Sequence, residues 1–92
     1  MIKTFSCKHT ERLFNRESVR KFRAFETAAL DALYTLDAAN NLAVLAAIPG
    51  NNFEKLKGDR RGQYSIRVNK QWRVCFSWKD GDACDVEIVD YH

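Results

Sequence analysis

Residues 62–92, "GQYSIRVNKQWRVCFSWKDGDACDVEIVDYH", decide the fold, because apolar side chains recur there at every second position. Tyr64, Ile66 and Val68 fall on one side, then Trp72, Val74, Phe76 and Trp78, then Cys84, Val86 and Ile88. Neighbouring side chains of a strand point to opposite faces, so the pattern predicts an antiparallel meander with its even-numbered face buried. Register follows from parity. Directly opposed residues share a face, so the first loop must have an odd length. Taking it as Asn69-Lys70-Gln71 pairs Val68 with Trp72, Ile66 with Val74, and Arg67 with Arg73. The second loop reads as Lys79-Asp80-Gly81, with Gly81 at the left-handed position of a three-residue hairpin. That loop pairs Trp78 with Asp82, Phe76 with Cys84, Val74 with Val86, and Arg73 with Glu87.

Upstream of the meander the period changes. "MIKTF" at the start suits a short strand, and "KHTERLFNR" at 8–16 a short helix. Ser18 is a plausible N-cap for a longer helix. Phe22, Phe25, Ala29, Leu33 and Leu36 then recur at steps of three and four, a stripe that reads as core rather than as a recognition surface. "ANNLAVLAAI" extends or follows that helix, and Pro49-Gly50 ends it.

The chain has 92 residues, 46% hydrophobic and 29% charged, which describes one folded domain (1–92) with a single core. The longest apolar run, "LAVLAAI" at 42–48, is too short to span a bilayer, and the N-terminus lacks the apolar stretch of a secretory signal. A cytoplasmic location without membrane attachment is expected. Cys7, Cys75 and Cys84 are odd in number and lack CxxC spacing, and His9 and His92 are the only histidines. Neither a disulfide framework nor a metal site is expected, and no cofactor.

Charge is unevenly spread. From Lys55 to Lys79 there are eight basic residues and one acidic, Asp59, whereas Asp80 to His92 carries five acidic residues and no Lys or Arg. The basic block points to an anionic partner. On the odd-numbered face lie Gln63, Ser65, Arg67, Arg73, Cys75, Ser77, Glu87 and Tyr91. Two arginines directly opposed across strands cost roughly a few tenths of a kcal/mol when solvated. An anion held between two guanidinium forks would account for them. So would an ordinary solvated face on which Glu87 relieves Arg73. "LKGDRRGQ" at 56–63 adds Lys57, Arg60 and Arg61 on a tight turn, and it is not a P-loop, since GxxxxGK[ST] is absent. Asp90, Tyr91 and His92 end the chain with a carboxylate, a phenol and an imidazole. These are either proton-transfer groups or a polar terminus.

Phe53–Phe76, "FEKLKGDRRGQYSIRVNKQWRVCF", together with the terminal "VEIVDYH" and the initial "MIKTF", is similar to the HigB toxins of the RelE/ParE superfamily. The most specific parts are Leu56-Lys57-Gly58-Asp59-Arg60, Ser65-Ile66-Arg67-Val68, Trp72-Arg73 and Asp90-Tyr91-His92. The helical half matches in length and pattern alone. The resemblance implies an α+β, RelE-like (microbial RNase-like) fold. Such a fold has a short N-terminal strand and two or three helices packed on one face of a mostly antiparallel sheet of about four strands. It implies an endoribonuclease that enters the 30S A site of the ribosome and cuts translated mRNA. It also implies a helix-turn-helix antitoxin of the HigA type, which binds a monomeric toxin within a hetero-oligomeric complex.

Within that expectation Arg67 and Arg73 would hold the scissile phosphate, while Lys55, Lys57, Arg60 and Arg61 bind the RNA backbone. His92 and Asp90 would handle protons, and Tyr91 would stack on a base or orient the nucleophile. Strict alternation sends Asp90 and His92 away from the arginines, so the tail must leave the strand near Val89 and curl over the sheet edge. Some relatives carry a histidine where Glu54 stands, which makes Glu54 a further candidate base. Two other readings remain open. A ParE-like toxin would poison DNA gyrase without creating new RNA ends, and a plain RNA-binding module would not arrest growth.

Overall fold

The computed structural model describes residues 1–90. The alternation after Gly62 does build the predicted meander. Strands β1 (Glu54–Lys55), β2 (Gln63–Arg67), β3 (Trp72–Lys79) and β4 (Asp82–Asp90) form one antiparallel sheet in the order β1-β2-β3-β4. Helices α1 (Lys8–Phe14), α2 (Glu26–Ala38) and α3 (Leu42–Ala47) precede it. The core lies between helices and sheet. Phe22, Ala29, Leu33, Leu36 and Leu45 meet Ile66, Val74, Phe76, Val86 and Ile88, all essentially removed from water. Fully burying each of the larger of these side chains is worth about 1.5–3 kcal/mol.

The longer helix does not begin as expected. Ser18 caps no helix, and its hydroxyl accepts a hydrogen bond from Arg23 Nη2 at 3.4 Å. A 3₁₀ turn at Arg20–Phe25 intervenes before α2. Tertiary packing sets that turn: Phe25 stacks on Trp72 at 5.0 Å between ring centroids and Phe22 meets the same indole edge-on at 5.9 Å. α3 is a separate helix, capped by Asn41, whose side-chain oxygen accepts from the Val44 amide at 3.1 Å.

The first hairpin has the expected register, with Ile66 opposite Val74 and Arg67 opposite Arg73. The second does not. Lys79 pairs with Asp82, so the loop is the two residues Asp80-Gly81, both with positive φ (53° and 82°), as a type I′ turn requires. Trp78 therefore opposes Ala83 and Ser77 opposes Cys84, which puts Ala83 in the core and Cys84 outside it. A bulge follows, with Asp85 in the left-handed region at φ 53°. Beyond it Cys75 opposes Glu87, Val74 opposes Ile88 and Arg73 opposes Val89, so the expected pairing of Arg73 with Glu87 is replaced.

The start of the chain holds the bulge in place. "MIKTF" forms two isolated parallel bridges to β4, Ile2 to Ala83 and Phe5 to Val86, rather than a continuous strand. Between them the Thr4 hydroxyl accepts from the Asp85 amide at 2.8 Å, and the Ser6 hydroxyl donates to the Asp85 carbonyl at 3.1 Å. Further along, the buried Thr10 hydroxyl of α1 accepts from the Ile88 amide at 3.0 Å. This edge of β4 is thus covered by side chains as well as backbone.

Candidate functional site

The sheet face turned away from the helices carries the polar residues in two transverse rows. One row crosses all four strands as Glu54, Ser65, Cys75 and Glu87; the next contains Arg67 and Arg73. It is not a simple solvated face. Ser65 and Cys75 are completely buried, and Arg73 is only 8% exposed.

A thin polar layer explains this. Arg60, on the short 3₁₀ turn Gly58–Arg60, folds back over the face and donates from Nη1 to Gln63 Oε1 at 3.0 Å and to Glu87 Oε1 at 2.9 Å. Burial, the largest single influence, works against its charge, but the bond to Glu87 and the attraction to Cys75 and Glu87 together outweigh it and raise the guanidinium pKa. Beneath lies Cys75, whose thiol is pushed up by burial; Arg60 and Arg73 pull it down and Glu87 and Glu54 push it up. A thiol so held stays protonated and is a poor nucleophile.

Arg73 is gripped from several sides. Its Nε donates to Ser65 Oγ at 2.8 Å, and Nη2 donates to the carbonyls of Asn52 and Ser65. Glu54 Oε1 stands 3.4 Å from the same nitrogen. A glutamate does relieve Arg73, but it is Glu54 from the edge strand. Arg67, directly opposite, makes no side-chain hydrogen bond or ion pair among the described residues. It lines a cleft of about 310 Å³ with Asn52, Asn69, Lys70 and Arg73. One arginine is thus fixed by the protein and the other keeps its donors for something else.

A family model described as the RelE-like toxin HigB of type II toxin–antitoxin systems matches residues 3–92. The chain belongs to the HigB-like toxin family. Toxin HigB-1 of Vibrio cholerae serotype O1 is 48% identical over 65 residues, spanning 71% of this chain and 68% of that one. Endoribonuclease HigB of Proteus vulgaris is 33% identical over 93 residues, the full length of both. Among solved structures, the YoeB toxin in its heterotetrameric complex with YefM from Staphylococcus aureus superposes with a TM-score of 0.60 at 19% identity, covering 100% of this chain and 98% of that one. The YoeB dimer from the same organism gives 0.57 at 18%, covering 99% and 97%. The likeness to these two shows the RelE-like fold.

The remaining candidates of this HigB-like toxin are distributed unevenly. Lys57 and Arg61 flank the 58–60 turn, exposed, with no side-chain ion pair among the described residues. Lys55 opposes Tyr64, whose ring stacks with Phe53 and meets Phe76, so it sits in register with the helix side and not with the arginines. β4 is described to Asp90, close to the expected end near Val89; there Asp90 lies opposite Trp72, and its carboxylate accepts from Gln71 Nε2 at 2.9 Å. That brings Asp90 to the end of the sheet where Arg67, Arg73 and Lys70 lie. Tyr91 and His92 fall outside the described residues. His9 is exposed on α1. No cluster of three or more His, Cys, Asp or Glu among the described residues could hold a metal ion.

Ser65 and Asn52 are the residues that sequence reasoning passes over. Ser65 is one polar residue in an alternating strand, and only its burial under Arg73 distinguishes it. Asn52 acts through its carbonyl, with φ at 44°, and no side-chain pattern signals a main-chain acceptor. Asn69 shapes the cleft wall: its side chain accepts from the amides of Gln71 and Trp72, both at 2.8 Å, which closes an Asx turn.

Proposed function

We propose that this toxin is a ribosome-dependent endoribonuclease, an mRNA interferase that cuts translated mRNA and so stops translation and growth. The observation that carries the reading is the pair of opposed arginines bordering a nucleotide-sized cleft, one fixed and one with its donors uncommitted among the described residues. The name of the full-length Proteus vulgaris relative supports it.

In the proposed reaction the 2′-oxygen attacks the adjacent phosphorus and the bond from phosphorus to the 5′-oxygen breaks. The products are a 2′,3′-cyclic phosphate and a 5′-hydroxyl. The nucleophile comes from the substrate, so no metal-activated water is required. Arg67 binds the non-bridging oxygens, and Arg73, already oriented by Ser65 and Asn52, stabilises the charge that develops on them. Such preorganised donors lose little on reorganising when the charge appears. Glu54, whose carboxylate is about half exposed and close to Arg73, is placed to take the 2′-hydroxyl proton. Asp90 and His92 supply the remaining proton-transfer capacity, His92 near neutral pH, and Tyr91 stacks on an unpaired base. Lys57 and Arg61 guide the RNA backbone. Arg60 does so only if it leaves Glu87.

A chain of this size orders little RNA by itself, and a codon already positioned in the 30S A site removes much of that entropic cost. Action there places the protein in the cytoplasm. No helix among the described residues is long and apolar enough to cross a membrane. Its neutralising partner is an antitoxin, here a HigA-type helix-turn-helix protein bound to a monomeric toxin in a hetero-oligomer. The test is cleavage of one defined mRNA with and without ribosomes, with the new ends mapped by primer extension. Ribosome-dependent 5′ ends are expected. Growth arrest without new ends would sink the proposal and favour gyrase poisoning.

A further inference from the structure

Two of the groups proposed to handle protons stand on the outer strands of the sheet, Glu54 on β1 and Asp90 on β4. Strands repeat at about 4.8 Å, so a shift of either edge changes the distance from its carboxylate to the arginines between them. The two edges are held unequally. β4 pairs with β3 along its length and is backed by the N-terminal bridges. β1 meets β2 through two register pairs, Glu54 with Ser65 and Lys55 with Tyr64. One further bond, from the Leu56 amide to the Gln63 carbonyl at 2.9 Å, follows them.

Beyond Leu56 the chain leaves the sheet on a turn that is loosely defined by its own backbone. The Arg60 and Arg61 amides donate to the carbonyls of Lys57 and Gly58 at 3.3 and 3.1 Å. Gly58 and Gly62 both have positive φ (65° and 92°), with open space around each. One side chain ties this turn to the far edge. Arg60 Nη1 reaches Gln63 on β2 at 3.0 Å and Glu87 on β4 at 2.9 Å, across the row that contains Cys75 of β3. Glu87 lies on the strand that carries Asp90. Both members of the pair are partly buried, where a charge-assisted bond is stronger and its geometry better fixed than in water.

We infer that Arg60 is a positioning residue for the cleavage reaction: held by Glu87 and Gln63, it braces the 57–61 turn across the sheet and keeps Glu54 and Lys57 in register with Arg73 and Asp90. It acts through those groups and does not itself touch RNA. This deepens the reading of the toxin as an RNA-cleaving enzyme and rests on it. A guanidinium suits the task, because its planar fork holds two acceptors on different strands in one geometry, which the rotatable ammonium of lysine does less firmly. A brace and a phosphate contact respond to Glu87 in opposite ways. Were Arg60 an RNA ligand, Glu87→Gln would release it and tighten RNA binding. As a brace it is loosened by Glu87→Gln, in the same direction as by its own replacement.

Cleavage of one defined mRNA on ribosomes is measured for R60Q, E87Q and the double variant R60Q/E87Q. R60Q should lower kcat about 10–10²-fold with KM nearly unchanged, the scale of a small misplacement of reacting groups. E87Q, which keeps the shape of the side chain and serves should R60Q fail to fold, should act in the same direction and less strongly. The double variant should match R60Q alone, because both changes remove one bond. Hydrogen exchange at the Arg60 and Arg61 amides should be about tenfold faster in E87Q, with exchange in β3 little changed, as local loosening requires. A lower KM in E87Q, or a slope of log K against log salt reduced by roughly 0.7–0.9 in R60Q, would overturn the inference and make Arg60 an RNA ligand. Unchanged kcat in R60Q would also overturn it, even with a lower melting temperature, because the bond would then serve stability alone. Should the parent protein cleave no RNA at all, the enzymatic reading fails on its own, and unchanged exchange in E87Q would separately remove the brace.

Discussion

The two faces of the sheet are made by the same strands, residue by residue, yet they are buried by different means. On the helix side Ile66, Val74 and Phe76 disappear under aliphatic and aromatic side chains. On the other side Ser65 and Cys75 disappear just as completely, but under Arg60, Arg73 and the two glutamates that hold them. The first kind of burial is non-directional and tolerant of volume-conserving change. The second depends on each donor finding its acceptor, and no side-chain polar atom is left both buried and unpartnered among the described residues. One face stabilises the molecule. The other orients charges and, among the described residues, leaves one of them, Arg67, uncommitted.

The sharpest way to break this contrast is to truncate one residue on each side. Phe76→Ala should cost about 3–5 kcal/mol in a denaturant titration, as is usual for a buried aromatic. Arg67→Ala should leave the denaturation midpoint nearly unchanged while cleavage on ribosomes falls about 10²–10³-fold, the usual effect of removing one oxyanion-type donor. A comparable drop in stability would mean that Arg67 is structural after all. Ser65→Ala lies between them. It removes the acceptor of Arg73 Nε, so about 1–3 kcal/mol of stability should go with a lower kcat and a smaller change in KM. Ser65→Thr, which keeps the hydroxyl, should recover part of the kcat.

The smallest expected effect is a pH dependence. The Cys75 thiol is raised in the folded state, mainly by burial, from an ordinary value of 9.0. Its contribution to stability is therefore complete below the unfolded thiol pKa and is lost as pH rises towards the folded one, because the unfolded chain releases that proton first. Stability should begin to fall near the ordinary thiol value, and Cys75→Ala should flatten that part of the curve. An equally steep fall in the variant would assign it to other groups.

Much of this architecture is legible in the chain itself, and the exceptions have physical causes. The Arg67–Arg73 pair is legible because a buried face fixes parity, and parity fixes the first loop. The second loop reads one residue too long. Asp80-Gly81 is itself a type I′ dipeptide, but the near-apolar Cys84 makes the longer loop look consistent. The bulge at Asp85 is invisible in the strand's own pattern because its supports, Thr4 and Ser6, lie about eighty positions upstream. The layer over Cys75 is hidden for the same reason, since Arg60 and Glu87 are 27 positions apart and meet only in three dimensions. At Ser18 local capping preference loses to the packing of Phe22 and Phe25 on Trp72. For the tail, the described strand ends at Asp90, close to the expected end near Val89, and Tyr91 and His92 lie outside what the structure describes.

The shortened turn and the bulge at Asp85 have a joint consequence. Each by itself would send Val86 and Ile88 outward and drive Glu87 into the hydrocarbon layer, and together they cancel. An added residue in the Asp80-Gly81 connection is therefore tolerable only if one is removed around Asp85. Length variants of this hairpin should survive as compensated pairs and fail singly.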